Sequence, residues 1–295
     1  MLKYEEIDLK HKCFFEKYLK EYPPQISEHT FTNLYIWKNF RKIIFCEEKD
    51  TLLLFADYGE FYTLFGPPLG KMSISDAMKL RLDKPIQAFE RIPEGTNISD
   101  YKMVEDRNNF DYVYKRQDLA DLEGRHFHAK RNLISQCLAN YNCIYEEITP
   151  ANLQDIAEMM ESWCKKRECG KNASLCSEYH AMKKILENYF QLDVIGAAIR
   201  INDNIEAFTI GEALNKNTSV IHFEKASSDF KGLYQLINQW FCKNNLSQFE
   251  FVNREQDLGI EGLRKAKESY FPDHYIKKHK GDGSPSITNG NIRCF

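Results

Sequence analysis

Five consecutive polar residues, Asn253, Arg254, Glu255, Gln256 and Asp257, follow the apolar strand-like run that ends at Val252. A strand that stops at such a run delivers polar groups of both signs to its end. Arg254 can grip a carboxylate or phosphate through two parallel hydrogen bonds, while Glu255 and Asp257 can orient an ammonium group. Asn253, Arg254, Glu255 and Asp257 are therefore read as a substrate-binding rim suited to a zwitterionic or amino-acid-like ligand. Ordinary solvated loops and helix caps look similar, and Asp257 is also placed to cap the helix that follows.

Two carboxylates on neighbouring strand-like runs are candidate catalytic bases. Glu224 ends the run Val220-Ile221-His222-Phe223, and Glu212 follows Phe208-Thr209-Ile210-Gly211. A carboxylate partly withdrawn from water there would have its pKa raised toward a range useful for taking a proton from an amine. For Glu224 an ion pair with Lys225 or Arg254 is an equally good reading. Lys231 and Gly232 lie in a strand-to-helix turn, where unpaired backbone N–H groups and the helix dipole favour an anion. Lys130 and Arg131 form a basic cluster with Arg125, His126 and His128. They are candidates for a phosphate-bearing donor, or a solvated helix face. No cysteine or histidine spacing calls for a metal site.

The elements that must hold these residues can be read from pattern. Helices are expected over 13–22, 31–37, 75–81 and 127–141, with strands over 42–46, 51–56, 60–65, 85–90, 110–114 and 143–148. The second half runs as helices over 153–167 and 178–190, then strands over 192–201, 206–214 and 219–226. It ends with a helix over 232–244, a strand over 248–252, a glycine-marked helix and a last extended piece over 270–278. In that helix Gly259, Leu263, Ala266 and Tyr270 would form one apolar face, backed by Glu261/Lys265 and Arg264/Glu268 pairs. Two helices, three strands, a helix, a strand, a helix and a strand are the element order of the acetyltransferase fold. The fold class expected is α/β with mixed sheets. The expected domains are 1–142 and 143–280, with a flexible glycine- and serine-rich tail over 281–295.

Bulk properties narrow the function classes. The chain has 295 residues, 43% hydrophobic, with a net charge of −3, so it can build two cores but carries no basic field for nonspecific polyanion binding. Its charged opening contains neither a signal peptide nor a membrane span, so a cytoplasmic location is expected. Nine scattered cysteines are expected to be mostly reduced, buried thiols.

The run NREQDLGIEGLRKAKESYFP over 253–272 resembles the signature of bacterial proteins related to the C-terminal domain of phosphatidylglycerol lysyltransferase. Ser27-Glu28-His29-Thr30-Phe31-Thr32-Asn33-Leu34-Tyr35-Ile36-Trp37, Lys130-Arg131-Asn132, Glu224-Lys225-Ala226 and Lys231-Gly232-Leu233-Tyr234 resemble the same group. The resemblance implies two tandem acyl-CoA N-acyltransferase-like (GCN5-related, GNAT) folds and kinship with enzymes that move amino acids from aminoacyl-tRNA. The turn over 227–234 lacks the second glycine and the leading Gln or Arg of the usual acetyl-CoA loop, which weighs toward a different donor.

The function expected is transfer of an acyl or aminoacyl group to an amine of a soluble small-molecule acceptor. Acyl-CoA or aminoacyl-tRNA would be the donor, with no tightly bound cofactor. The alternative is a non-catalytic small-molecule or amino-acid binding or regulatory protein on a degenerate transferase fold.

Overall fold

The computed structural model describes residues 2–96, 98 and 101–281. It divides into two compact units. Among the described residues the first contains 2–112, 256–264 and 275–281, and the second 113–255 and 265–274.

The first unit begins with β1 (Glu5–Glu6), α1 (Lys12–Glu21) and α2 (Phe31–Arg41). The Thr30 side chain accepts from the Asn33 N–H to start α2, and Lys42 in the left-handed region ends it. There follow β2 (Ile43–Glu47), β3 (Leu52–Asp57), β4 (Tyr62–Phe65), α3 (Ile74–Ala77) and β5 (Ile86–Glu90). The sheet order is β1-β2-β3-β4-β5, antiparallel until β4 meets β5 in parallel. β3 is apolar from Leu52 to Ala56 and buried over that length, so no polar–apolar alternation marks it. Leu53, Phe55, Leu64 and Phe89 lie at the centre of this core. The short strands β6 (Ile92–Pro93) and β7 (Met103–Glu105) flank a strand from the end of the described chain.

The second unit repeats that plan. β8 (Asp111–Lys115) carries the chain into it, followed by α4 (Arg116–Asp121) and α5 (His128–Asn140). Then come β9 (Ile144–Glu147), α6 (Leu153–Lys166), α7 (Ala173–Glu187), β10 (Val194–Ile201), β11 (Asn204–Ala213), β12 (Thr218–Ala226), α8 (Leu233–Asn244) and β13 (Phe251–Asn253). Strands β9 to β12 are antiparallel neighbours, and β12 meets β13 in parallel. Both units thus run strand, two helices, three antiparallel strands, a crossover helix and a parallel strand. This is the tandem GNAT-like arrangement in a mixed α/β fold that element order led us to expect. α9 (Glu261–Glu268), β14 (His274–Ile276) and β15 (Lys278–Gly281) complete the described chain, and β15 lies between β6 and β7.

Residues 113–142 fall in the second compact unit, where α4 and α5 pack on α8. Residues 256–264 and 275–281 return to the first unit, so neither unit is one continuous stretch. The expectation for the last helix is corrected. The apolar face expected for it is not buried in α9, since Leu263 and Ala266 are exposed and Tyr270, beyond its end, is buried. Gly281 ends β15, and the rest of the expected tail, 282–295, lies outside the described residues.

Among the described residues seven cysteines, 13, 46, 137, 143, 164, 169 and 242, are free thiols. Among the described residues no helix is long and apolar enough to cross a membrane.

Candidate functional site

The site is built where β12 outlasts its neighbour. Parallel pairing runs from Thr218–Phe251 to Val220–Asn253 and stops because β13 ends. The rest of β12, carrying His222 and Glu224, continues with no β13 beside it. On the other side, β12 pairs with β11 across a register shift: Ile210 faces Phe223 and Gly211 faces Ile221. His222 is the extra residue of that bulge, a device that redirects a side chain. Gly211 permits it, since a Cβ there would stand 2.4 Å from the Val220 carbonyl oxygen.

His222 is buried and bridges two carboxylates. Its Nε2 lies 2.8 Å from Glu212 Oε1 and its Nδ1 2.9 Å from Glu255 Oε1. Burial alone would lower its pKa, but the two carboxylates outweigh burial and raise it to about 9. At neutral pH the ring is an imidazolium between two acids. Glu212 forms the inner end, with its side chain 8% exposed, and Glu255 the outer end at 16%. The Asn253 side chain accepts from the Glu255 N–H at 2.8 Å and so shapes the turn that carries Glu255, whose φ is +55°.

Glu224 lies on the same free stretch. Arg254 Nη2 donates to Glu224 Oε1 at 2.8 Å, and Asn238 Nδ2 of α8 donates to Oε2 at 2.9 Å. Both carboxylate oxygens are occupied, so the geometry carries the ion-pair reading of Glu224 rather than that of a free base. The Arg254 guanidinium lies 4.8 Å from the Tyr270 ring centre and 5.6 Å from that of Tyr114. Burial works against its charge, and Glu224 more than compensates. Its Nη1 is buried and makes no hydrogen bond among the described residues, and the same holds for Asn238 Oδ1.

Lys130 of α5 reaches the same place. Its Nζ is 4.1 Å from the Tyr270 ring centre and donates to Ser269 Oγ at 2.7 Å. Burial and the nearby Arg254 charge lower its pKa. Two cations share one tyrosine ring against the single carboxylate of Glu224, which makes the spot attractive to an anion.

The remaining sequence candidates are placed elsewhere. Arg131 donates to the carbonyls of Leu122 and Gly124 and so holds the loop after α4. Lys231 is exposed. Gly232 has φ +91°, and a Cβ on it would stand 2.1 Å from the Leu133 carbonyl oxygen of α5. That glycine is explained by close packing of α5 on the start of α8. Asp257 belongs to the first unit and is fully buried. There it accepts from Arg107 at 3.0 Å, Tyr112 at 2.6 Å, Arg264 at 2.8 and 2.9 Å and the Gly259 N–H at 2.7 Å. It contacts the loop before α9 without being an isolated cap. The structure therefore groups Glu212, Glu224, Lys130, Asn253, Arg254 and Glu255, and leaves out Arg131, Lys231, Gly232 and Asp257.

His222, Asn238, Tyr114 and Tyr270 were missed as site residues. The apolar run around His222 hid it, although a histidine two residues from Glu224 on one strand was a usable signal.

The family model of phosphatidylglycerol lysyltransferase, C-terminal, matches residues 19–279. A conserved protein of unknown function from Bacteroides thetaiotaomicron superposes with a TM-score of 0.86 at 30% identity, over 95% of this chain and 99% of that one. The structure of L-PGS from Bacillus licheniformis superposes at 0.64 with 15% identity, over 96% and 94% of the two chains. That of FemX superposes at 0.55 with 9% identity, over 95% and 97%. These last two likenesses concern the fold alone. No curated protein matches the sequence.

Proposed function

The chain belongs to the family of phosphatidylglycerol lysyltransferase C-terminal domains, and we propose that it transfers an aminoacyl or acyl group to the amine of an acceptor. Its acyltransferase-like character follows from the family and the fold. The observation that carries the finer reading is Arg254, which is held by Glu224 on one guanidinium nitrogen and unpaired on the other. Buried donors are rarely left empty, and an oxyanion is the strongest partner for this one. A phosphate or carboxylate of the donor, shared with Lys130, fits both cations.

In the transfer the acceptor nitrogen attacks the donor's carbonyl carbon. A C–N bond forms, the bond from that carbon to the donor's oxygen or sulfur breaks, and the leaving group takes a proton from solvent. The nitrogen's own proton passes to Glu255, the outer carboxylate, behind which His222 and Glu212 form a charged chain that keeps Glu255 oriented. Catalysis is by positioning and proton removal, with no covalent enzyme intermediate.

Aminoacyl-tRNA is the favoured donor. The backbone at Gly232, where an acyl-CoA pyrophosphate would sit in a standard GNAT fold, is packed against Leu133. Acyl-CoA remains the second donor to test, and a soluble amine is the acceptor proposed.

The experiment offers radiolabelled aminoacyl-tRNAs and acyl-CoAs to the purified protein, with hydroxylamine as a small nucleophile, then dissolved amines and phospholipid vesicles in separate arms. Enzyme-dependent product is expected with an aminoacyl-tRNA and a dissolved amine. It should fall about 100-fold in Arg254→Ala and in Glu255→Gln. Product in the vesicle arm alone would replace the soluble acceptor with a lipid one. Donor binding without product would favour the non-catalytic binding protein, and full activity in both variants would remove Arg254 and Glu255 from the mechanism.

A further inference from the structure

A cavity of about 360 Å³ lies in the second unit, apart from the Arg254 cluster. Its wall comes from α6, the turn between β10 and β11, the start of β11 and the turn after β12. Adjacent strand residues point to opposite faces. Glu224 reaches α8 through Asn238, whereas Lys225 points the other way, 2.7 Å from Glu178 and 4.4 Å from the centre of the Trp163 ring. Trp163 lines the cavity, which therefore opens by the sheet face that does not carry the Arg254–Glu224 pair.

The wall is acidic. Asp155, Glu158, Asp203, Glu206 and Asp229 face it, against Lys166 and Arg167. Lys166 is paired with Asp229, and Arg200 holds Asp155 at 2.8 Å. Glu158, Asp203 and Glu206 then leave the wall negative against Arg167. Carboxylates alone would describe a solvated surface.

Trp163 supplies a second and independent observation. It is 8% exposed, and its indole N–H is buried with no hydrogen-bond partner among the described residues. Ser227, also 8% exposed, lies on the same wall beside Glu206. An indole N–H can only donate, so what fills this position must present an acceptor. The carboxylates beside it ask for a cation.

We propose that this cavity binds a small primary amine bearing a nearby oxygen, an amino alcohol or amino-acid amide, with its ammonium on Glu206 and its oxygen on Trp163. The volume is at the lower end for small-molecule sites, which suits a ligand of that size. The inference stands apart from the transfer reaction, since none of these residues belongs to the Arg254 cluster.

The test measures the melting temperature and tryptophan fluorescence of the full chain with ethanolamine, L-lysinamide, propylamine, acetate and inorganic phosphate. Ethanolamine or lysinamide should raise Tm by about 3 °C at a concentration about tenfold above its Kd. Propylamine, which lacks the oxygen, should bind about tenfold more weakly. Glu206→Gln should lose the response to both oxygen-bearing amines. Trp163→Phe, which keeps most of the ring volume, should bind them no better than propylamine. The Tm of each variant without probe reports its folding, so failure of one to fold leaves the other to decide. Binding of the anions instead, no response to either oxygen-bearing amine, or a response unchanged in both variants overturns the proposal.

Discussion

Arg254 and Asp257 stand three residues apart in one polar run, yet they sit in different units and in opposite states of satisfaction. Asp257, in the first unit, accepts from two arginines, a tyrosine and a backbone N–H. Arg254, in the second, donates to Glu224 and keeps a buried nitrogen unpaired. A charge whose hydrogen bonds are closed by the protein has nothing left for a ligand, and its contribution is to stability. A charge held on one side and open on the other is prepared to bind. Sequence places both residues on one rim; their partners separate scaffold from site.

The same contrast holds for the larger buried cluster of the first unit, where the largest effect is expected. Lys278, fully buried, donates to Glu28 at 2.5 Å and Asp111 at 2.7 Å, with Arg91 3.1 Å from Glu28. Ser27 and Gln256 complete the bonds to Asp111. Burial would raise the pKa of Glu28, but Lys278, Arg91 and Arg41 hold it at about 2, while burial pushes that of Asp111 up. Lys278→Met strands two buried acids with only Arg91 and Arg41 left to offset them and should cost about 3–5 kcal/mol in urea unfolding. A loss under about 1 kcal/mol would mean that closed charges are not what holds this unit.

The His222 bridge should show itself at high pH. Its folded pKa, raised from 6.5 to about 9, stabilises the protein fully below pH 6.5, and that contribution is lost as pH rises through about 9. Stability should fall by on the order of 3 kcal/mol across this window, and the fall should vanish in His222→Gln. A flat profile for the unmodified chain would show that the two carboxylates do not hold a proton on the ring.

Asp257 gives the opposite slope and a smaller effect. Burial would raise its pKa, but Arg264, Tyr112 and the Gly259 N–H bring it from 3.8 to about 2. Its contribution is present above pH 3.8 and lost as pH falls toward 2. Asp257→Asn should cost about 2 kcal/mol near neutrality and leave donor binding unchanged. Weakened binding at unchanged stability would return Asp257 to the site and break the contrast with Arg254.

Much of this was legible in the sequence where the signal is local. Apolar runs of strand length gave β2 to β4 and β10 to β12, and the order of elements gave the fold of each unit. The pairing of Glu224 with Arg254 was one of the two ion pairs open to that carboxylate in the sequence. What was hidden depends on distant partners. Residues 113–142 join the second unit through packing on α8, which no composition shift marks. The β6-β15-β7 sheet is built from strands of two to four residues, too short for a period to appear. His222 owes its direction to a register shift at Ile210/Gly211, so strict alternation along β12 could not place it.

The smallest expected change in stability divides scaffold from site most cleanly. Arg254→Lys keeps a positive charge for Glu224 and an aliphatic stem beside Tyr270, so unfolding should shift by only about 1 kcal/mol. The lysine has one nitrogen where arginine has a planar fork, and that nitrogen will go to Glu224. The direction left open by Nη1 then has no donor. Donor affinity and transfer rate should fall about tenfold or more although the protein remains folded and its charge is unchanged. Asp257→Glu near the other end of the run should do the reverse, disturbing a filled set of hydrogen bonds and lowering stability without touching the reaction. Equal effects of the two substitutions on both measurements would mean that the open nitrogen has no special role, and that the run from Asn253 to Asp257 acts as one structural unit.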